Sequence, residues 1–131
     1  MGDEAESVYE EVCDVAFERY GLNRPTVKVN ALPPFVRYTP DYITTNYLVE
    51  VQGFGSDNKV KFKSEKLSSM AEWHLIMPLK VFIYHRQTNS YSMVSFNELL
   101  HLLAMYGEDG EFNDGKKYTA LHKKHFTWTN R

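Results

Sequence analysis

The chain has a single cysteine, five prolines and no long apolar run. Cys13 alone cannot close an internal disulfide, which points to a reducing, cytosolic compartment. The acidic start Met-Gly-Asp-Glu-Ala-Glu has neither the positive segment nor the apolar segment of a secretory leader, and Glu6 stands where an N-myristoylation signal wants Ser or Thr. No apolar run approaches the roughly 18 residues that span a bilayer, so no membrane role is expected. A basic surplus is missing as well. The formal net charge is −2, whereas phosphate neutralisation usually shows as excess Lys and Arg. That excludes a uniformly basic face, not a local one.

At 131 residues, 43% hydrophobic and 15% aromatic, the chain can bury one ordinary core, so residues 1–131 are read as one domain. Its charges are sorted along the sequence. Residues 1–18 hold an acidic cluster, Lys59, Lys61, Lys63 and Lys66 lie close together, and Lys116, Lys117, Lys123 and Lys124 form a second basic group. A domain with one acidic metal pocket and a basic rim would give such a balance.

Periodicity supplies the elements. Val8, Val12, Val15, Ala16 and Phe17 recur at helical spacing and predict a first helix over Ser7–Tyr20, with Ser7 as N-cap and Gly21 as stop. Pro25, Pro33 and Pro34 around Val27-Lys28-Val29 predict a short edge strand and an irregular connection. Tyr42-Ile43 and Tyr47–Val51 read as two strands joined by a turn at Thr45-Asn46. Phe62, Leu67, Met70, Ala71, Trp73 and Leu75 suit a second helix from Val60 to Ile76, lined early by lysines. Lys80–Tyr84 is a dense apolar run expected as a central strand, with Tyr91–Val94 as an edge strand. Ser95 with Glu98 forms a capping box for a third helix. Beyond the acidic, glycine-rich Gly107–Gly115, the chain is expected to dock as a tail, 107–131.

The hairpin Tyr38–Gly53 carries the chemistry. With a two-residue turn at Thr45-Asn46, paired positions sum to 91, which sets Asp41 opposite Glu50 with Cβ atoms about 4.5–5.5 Å apart. Strand alternation turns Glu50 and Gln52 to one face while Val49 and Val51 enter the core. Two neighbouring carboxylates repel unless a proton or cation lies between them, and hard oxygen donors suit Mg²⁺ or Mn²⁺. Such an ion can polarise a phosphate oxygen and lower the pKa of a bound water, which is phosphodiester chemistry.

Pro40-Asp41 followed by Glu50-x-Gln52, a lysine-bearing helix and an apolar strand resembles the PD-(D/E)XK nuclease superfamily over residues 7–84. Within it, the Tyr-Thr-Pro-Asp segment, the Val-Glu hairpin and the following Gly are most similar to phage Holliday junction resolvases of the endonuclease I type. The resemblance implies an α/β fold with a restriction-endonuclease-like core, a central mixed β-sheet flanked by helices. It implies a metal-dependent endonuclease cutting branched or structured DNA in recombination, working in the host cytoplasm if phage-encoded. Asp41 and Glu50 would be the metal ligands, joined by a helix-1 glutamate: Glu10 by counting back from Gly21, then Glu11, then Glu18. Gln52 departs from the pattern, because the family usually has Lys there; Lys61, Lys63 or Lys66 from the neighbouring segment would replace it, with Lys63 and Lys66 favoured for catalysis. Lys59, Lys61, Lys63 and Lys66 would contact DNA phosphates, with Arg37 and Lys80 extending that strip. A homodimer is left open. The competing reading is a non-catalytic DNA-binding or assembly protein on the same fold.

His122-x-x-His125 is too tightly spaced for a zinc-finger pair and has no cysteine partners, so no metal is expected there. The tail aromatics Phe126 and Trp128 either stack on exposed bases or pack on their own domain.

Overall fold

The structure is a computed structural model that describes residues 2–21, 33–54 and 57–131. Its elements, in chain order, are α1 (Gly2–Val12), β1 (Phe17–Arg19), α2 (Pro34–Arg37), β2 (Tyr42–Thr44), β3 (Leu48–Phe54), β4 (Lys59–Lys63), α3 (Ser64–Ile76), β5 (Leu79–His85), β6 (Ser90–Ser95), α4 (Phe96–Tyr106), β7 (Glu108–Glu111), β8 (Lys117–His122), a 3-10 turn at Lys123–His125, and β9 (Thr129–Asn130). The strand expected around Val27–Val29 lies outside the described residues.

A mixed six-stranded sheet runs in the order β1-β2-β3-β5-β6-β9. β3 and β5 are parallel, and their neighbours pair antiparallel. β5 lies inside the sheet, so both of its faces are covered, and the apolar run Val81-Phe82-Ile83-Tyr84 follows from that position. Alternation splits the run between two cores. Phe82 and Tyr84 join Ala5, Val8 and Tyr9 of α1, while Val81 and Ile83 join Met70 of α3, Phe96 and Leu99 of α4 and Leu121 of β8. The molecule is thus an α/β sheet with α1 on one face and α3, α4 and a second sheet, β4-β8-β7, on the other.

Several expectations need correction. The first helix is shorter and earlier than Ser7–Tyr20. Asp3 and Glu4 occupy its first turn, where the helix dipole favours acids, and Ser7 lies inside it, its Oγ donating back to the Asp3 carbonyl at 3.0 Å. Phe17–Arg19 then becomes a strand because β2 offers it a partner. The lysine run is likewise not helical. Lys59-Val60-Lys61-Phe62-Lys63 alternates with period 2, burying Val60 and Phe62 beneath an outward row of lysines, and only at Ser64 does α3 begin. Residues 107–131 are no separate tail: β8 is the central strand of the second sheet, β9 extends the first, and Leu121 and Phe126 are core residues.

The Ser95 cap appears as expected, its hydroxyl accepting the Glu98 N–H at 3.1 Å. The hairpin register also agrees, with Tyr42 opposite Val49 and Ile43 opposite Leu48. Among the described residues no helix is long and apolar enough to cross a membrane.

Candidate active site

Glu50 shares strand parity with Leu48 and Phe54, so it faces the side of the sheet that α3 covers. It is 5% exposed. Asp41 stands just ahead of β2, and its Oδ2 accepts the Val51 N–H at 2.8 Å, which ties the carboxyl to β3 beside Glu50. α3 follows β4 without a linker, and its first turn brings Lys66 back over the sheet. Lys66 Nζ lies 2.6 Å from Glu50 Oε2 and donates to Gln52 Oε1 at 3.3 Å. Four of the expected residues, Asp41, Glu50, Gln52 and Lys66, therefore form one cluster drawn from three elements.

Its electrostatics are those of crowded carboxylates. Burial, then the charge of Glu50, pushes Asp41 up to about 7, and the Val51 N–H and Lys66 offset only part of that rise. Burial also raises Glu50, against the pull of Lys66 and of a hydrogen bond from Asp41. Lys66 loses hydration in the same place, yet Glu50 and Asp41 outweigh that loss and hold it firmly charged. The two acids are close enough to titrate as a coupled pair, each raised by burial.

The helix-1 glutamate is displaced from its expected position. Glu10 does not join the cluster: Arg19 Nη2 reaches its Oε2 at 2.6 Å, and the Tyr42 hydroxyl donates to the same oxygen. Glu11 pairs with Arg131 at 2.6 Å, and Glu18 is exposed on β1. The α1 carboxylate that feels the site is Glu6, raised by burial and then by the charge of Asp41, and itself one of the charges acting on Glu50. Counting from Gly21 missed it because α1 ends at Val12, well before Gly21.

Lys59, Lys61 and Lys63 face a cleft of about 370 Å³ that opens beside Gln52 and Lys66, with Tyr38 and Phe112 among its other walls. Lys63 does not reach the carboxylates; its ammonium sits 6.0 Å from the Phe112 ring centroid. Lys59 is ion-paired with Glu108, and Lys61 lies 5.2 Å over Tyr118. Arg37 is engaged by Glu65 at 2.9 Å, and Glu65 also accepts from Tyr38 at 2.8 Å and from Lys116 at 3.2 Å. Lys80 lies over Tyr47 at 4.1 Å. Near the C-terminus, His125 stacks on Tyr106 at 4.0 Å and His122 caps the following turn, while Phe126 is buried and Trp128 Nε1 donates to the Lys123 carbonyl at 2.8 Å. Phe126 and Trp128 pack on their own domain.

Among the described residues no three His, Cys, Asp or Glu side chains are gathered as a ready-made metal cage. Two carboxylates do converge, and Mg²⁺ is commonly held by one or two carboxylates with water and substrate oxygens completing its shell. Asp41 is raised first by burial and then by the charge of Glu50; as paired carboxylate oxygens, Asp41 and Glu50 are donors of the kind that suits a hard divalent cation. No family model and no curated protein sequence matches this chain.

Proposed function

We propose that this chain is a Mg²⁺- or Mn²⁺-dependent DNA endonuclease with a PD-(D/E)XK-like core, hydrolysing phosphodiester bonds in branched or structured DNA. The observation that carries the reading is Lys66, whose ammonium lies against both Glu50 and Gln52. The place where the resemblance lacks a lysine on the strand is served by a lysine from the adjoining helix. Asp41 and Glu50 would hold the cation, with Glu6 close enough to add negative charge. A divalent cation at such a pair supplies Lewis-acid polarisation of a phosphate oxygen and a lower pKa for bound water.

The protein's own groups have separable tasks. The Gln52 amide can hydrogen-bond and orient an attacking water but brings no charge. Lys66 brings that charge, placed in a site where little water screens it, and it opposes the negative charge that grows on the phosphate. Lys59, Lys61 and Lys63 draw the DNA backbone across the cleft in a salt-dependent way.

The test is cleavage of single-stranded, duplex, flap and four-way-junction DNA with and without Mn²⁺, using wild type, Asp41→Asn and Glu50→Gln. Metal-dependent cutting by the wild type alone supports the assignment. A second reading, a DNA-binding protein that retains the fold without cutting, draws on the Lys66–Glu50 ion pair, which already neutralises one of the two carboxylates. Junction binding with no cleavage under either metal would favour it.

A further inference from the structure

The cleft beside Gln52 has features that backbone attraction alone does not require. Its volume of about 370 Å³ lies at the small end of the roughly 300–1,000 Å³ typical of pockets that enclose one small molecule. A lysine row that only tracked phosphates would need no such recess.

Two of its lysines have charge to spare. Lys59 is committed to Glu108 and Lys66 to Glu50, whereas Lys61 and Lys63 have no carboxylate partner among the described residues. Their ammonium groups are held near the rings of Tyr118 and Phe112 instead. Asp57 is the lone carboxylate among the described lining residues, so the recess is net positive and suits a phosphate.

The same walls carry flat apolar surface. Phe112 is half-buried and rests on Tyr118 with ring centroids 4.6 Å apart, which fixes its plane. Tyr38 is pinned by its hydroxyl bond to Glu65. Stacking on such rings requires a free base face, which a base inside a duplex does not present, so it selects unpaired nucleotides and tolerates any base.

We propose that this cleft is a pocket for one unpaired nucleotide, its phosphate drawn by Lys61 and Lys63 and its base stacked on Phe112. Gln52 and Lys66 form part of its wall, so the nucleotide would lie next to the Asp41–Glu50 pair. The inference deepens the nuclease reading and rests on it only for where a cut would fall. On that reading the preferred substrate has an unpaired nucleotide beside the scissile bond.

Binding is measured in EDTA, where no cleavage occurs, by fluorescence anisotropy of a short oligothymidylate and of a blunt duplex, with 2-aminopurine placed in the single strand as a stacking reporter. Phe112→Leu is expected to weaken single-strand binding about tenfold and to relieve the 2-aminopurine quenching, with duplex affinity within about twofold of wild type. Phe112→Trp should restore both signals. Lys61→Gln with Lys63→Gln should flatten the single-strand salt slope by roughly 1.4. Equal losses on single strand and duplex in Phe112→Leu, or unchanged quenching in a variant that melts like wild type, would overturn the pocket. If Phe112→Leu melts low, Phe112→Trp and the lysine pair decide it: weak quenching by Phe112→Trp, or an unchanged salt slope, has the same consequence. A chain that cuts no DNA with Mg²⁺ or Mn²⁺ yet passes these tests loses the nuclease assignment and keeps the pocket; one that cuts and fails them loses only the pocket.

Discussion

Lys66 Nζ lies 2.6 Å from Glu50 Oε2, joining the first turn of α3 to strand β3 through a largely buried ion pair. Removing one partner of such a pair leaves the other stranded, at a cost of roughly 3–5 kcal/mol, while replacing both by apolar groups is often neutral.

Lys66→Met should therefore lower the urea midpoint clearly, and Lys66→Met combined with Glu50→Leu should recover much of the loss. In single-turnover measurements at saturating DNA, Lys66→Met should slow the chemical step. Lys59→Ala, whose ammonium is tied to Glu108 at the cleft rim, should change affinity alone. A wild-type chemical step in Lys66→Met would remove this lysine from the mechanism.

Stability should depend on pH through Asp41. Its folded pKa, raised from 3.8 to about 7, means that the proton is held more tightly in the folded protein. That contribution is fully present below the unfolded value and is lost as pH rises through about 7. His85 has the opposite sign: burial, then Lys123, depresses it, so its contribution is present above its ordinary value of 6.5 and lost on acidification. Because the folded and unfolded proton affinities of Asp41 differ between 3.8 and about 7, the metal-free protein should lose Asp41-linked stability from about pH 5 to about pH 7.5, against the opposing gain from His85, and Asp41→Asn should remove that loss. Mg²⁺ at pH 8 should raise the wild-type melting temperature and leave Asp41→Asn unmoved. A parallel decline in both proteins would refute the assignment.

Glu6 and Glu10 should separate by readout. Glu6→Gln is expected to reduce cleavage by about tenfold or more, since it alters charge near the acids, and to cost stability no more than Glu10→Gln, because each loses one bond to Arg19 and only Glu10 also accepts from Tyr42. Glu10→Gln loosens the bonds to Arg19 and Tyr42 and should cost about 0.5–1 kcal/mol, mainly in stability. The reverse pattern would return the helix-1 role to Glu10.

The C-terminal strands should prove indispensable. Leu121 is fully buried on β8 against the α4 side of the core, so Leu121→Ala should cost about 2–5 kcal/mol in urea unfolding. Truncation after Gly107 should yield no cooperative transition, and a truncated chain that unfolds like the full one would contradict the second sheet.

What the sequence determined by itself was whatever local pattern controls. Alternation and a two-residue turn set the β2–β3 register, the apolar run marked β5, and Ser95 with Glu98 marked the start of α4. Asp41, Glu50 and Gln52 were legible for the same reason, since one hairpin carries them. Partners distant in sequence decided the rest. Phe17–Arg19 extends because β2 lies beside it, and Lys59–Lys63 is a strand because β8, nearly sixty residues later, pairs with it. Arg19 bridges Glu6 and Glu10, and of the two it is Glu6 whose charge is felt at Asp41 and Glu50, while Glu10 is also taken up by the Tyr42 hydroxyl. The choice of Lys66 over Lys63 fell to the turn at Ser64, where the chain changes from period 2 to period 3.6 and swings one lysine over Glu50 and leaves the other facing the cleft.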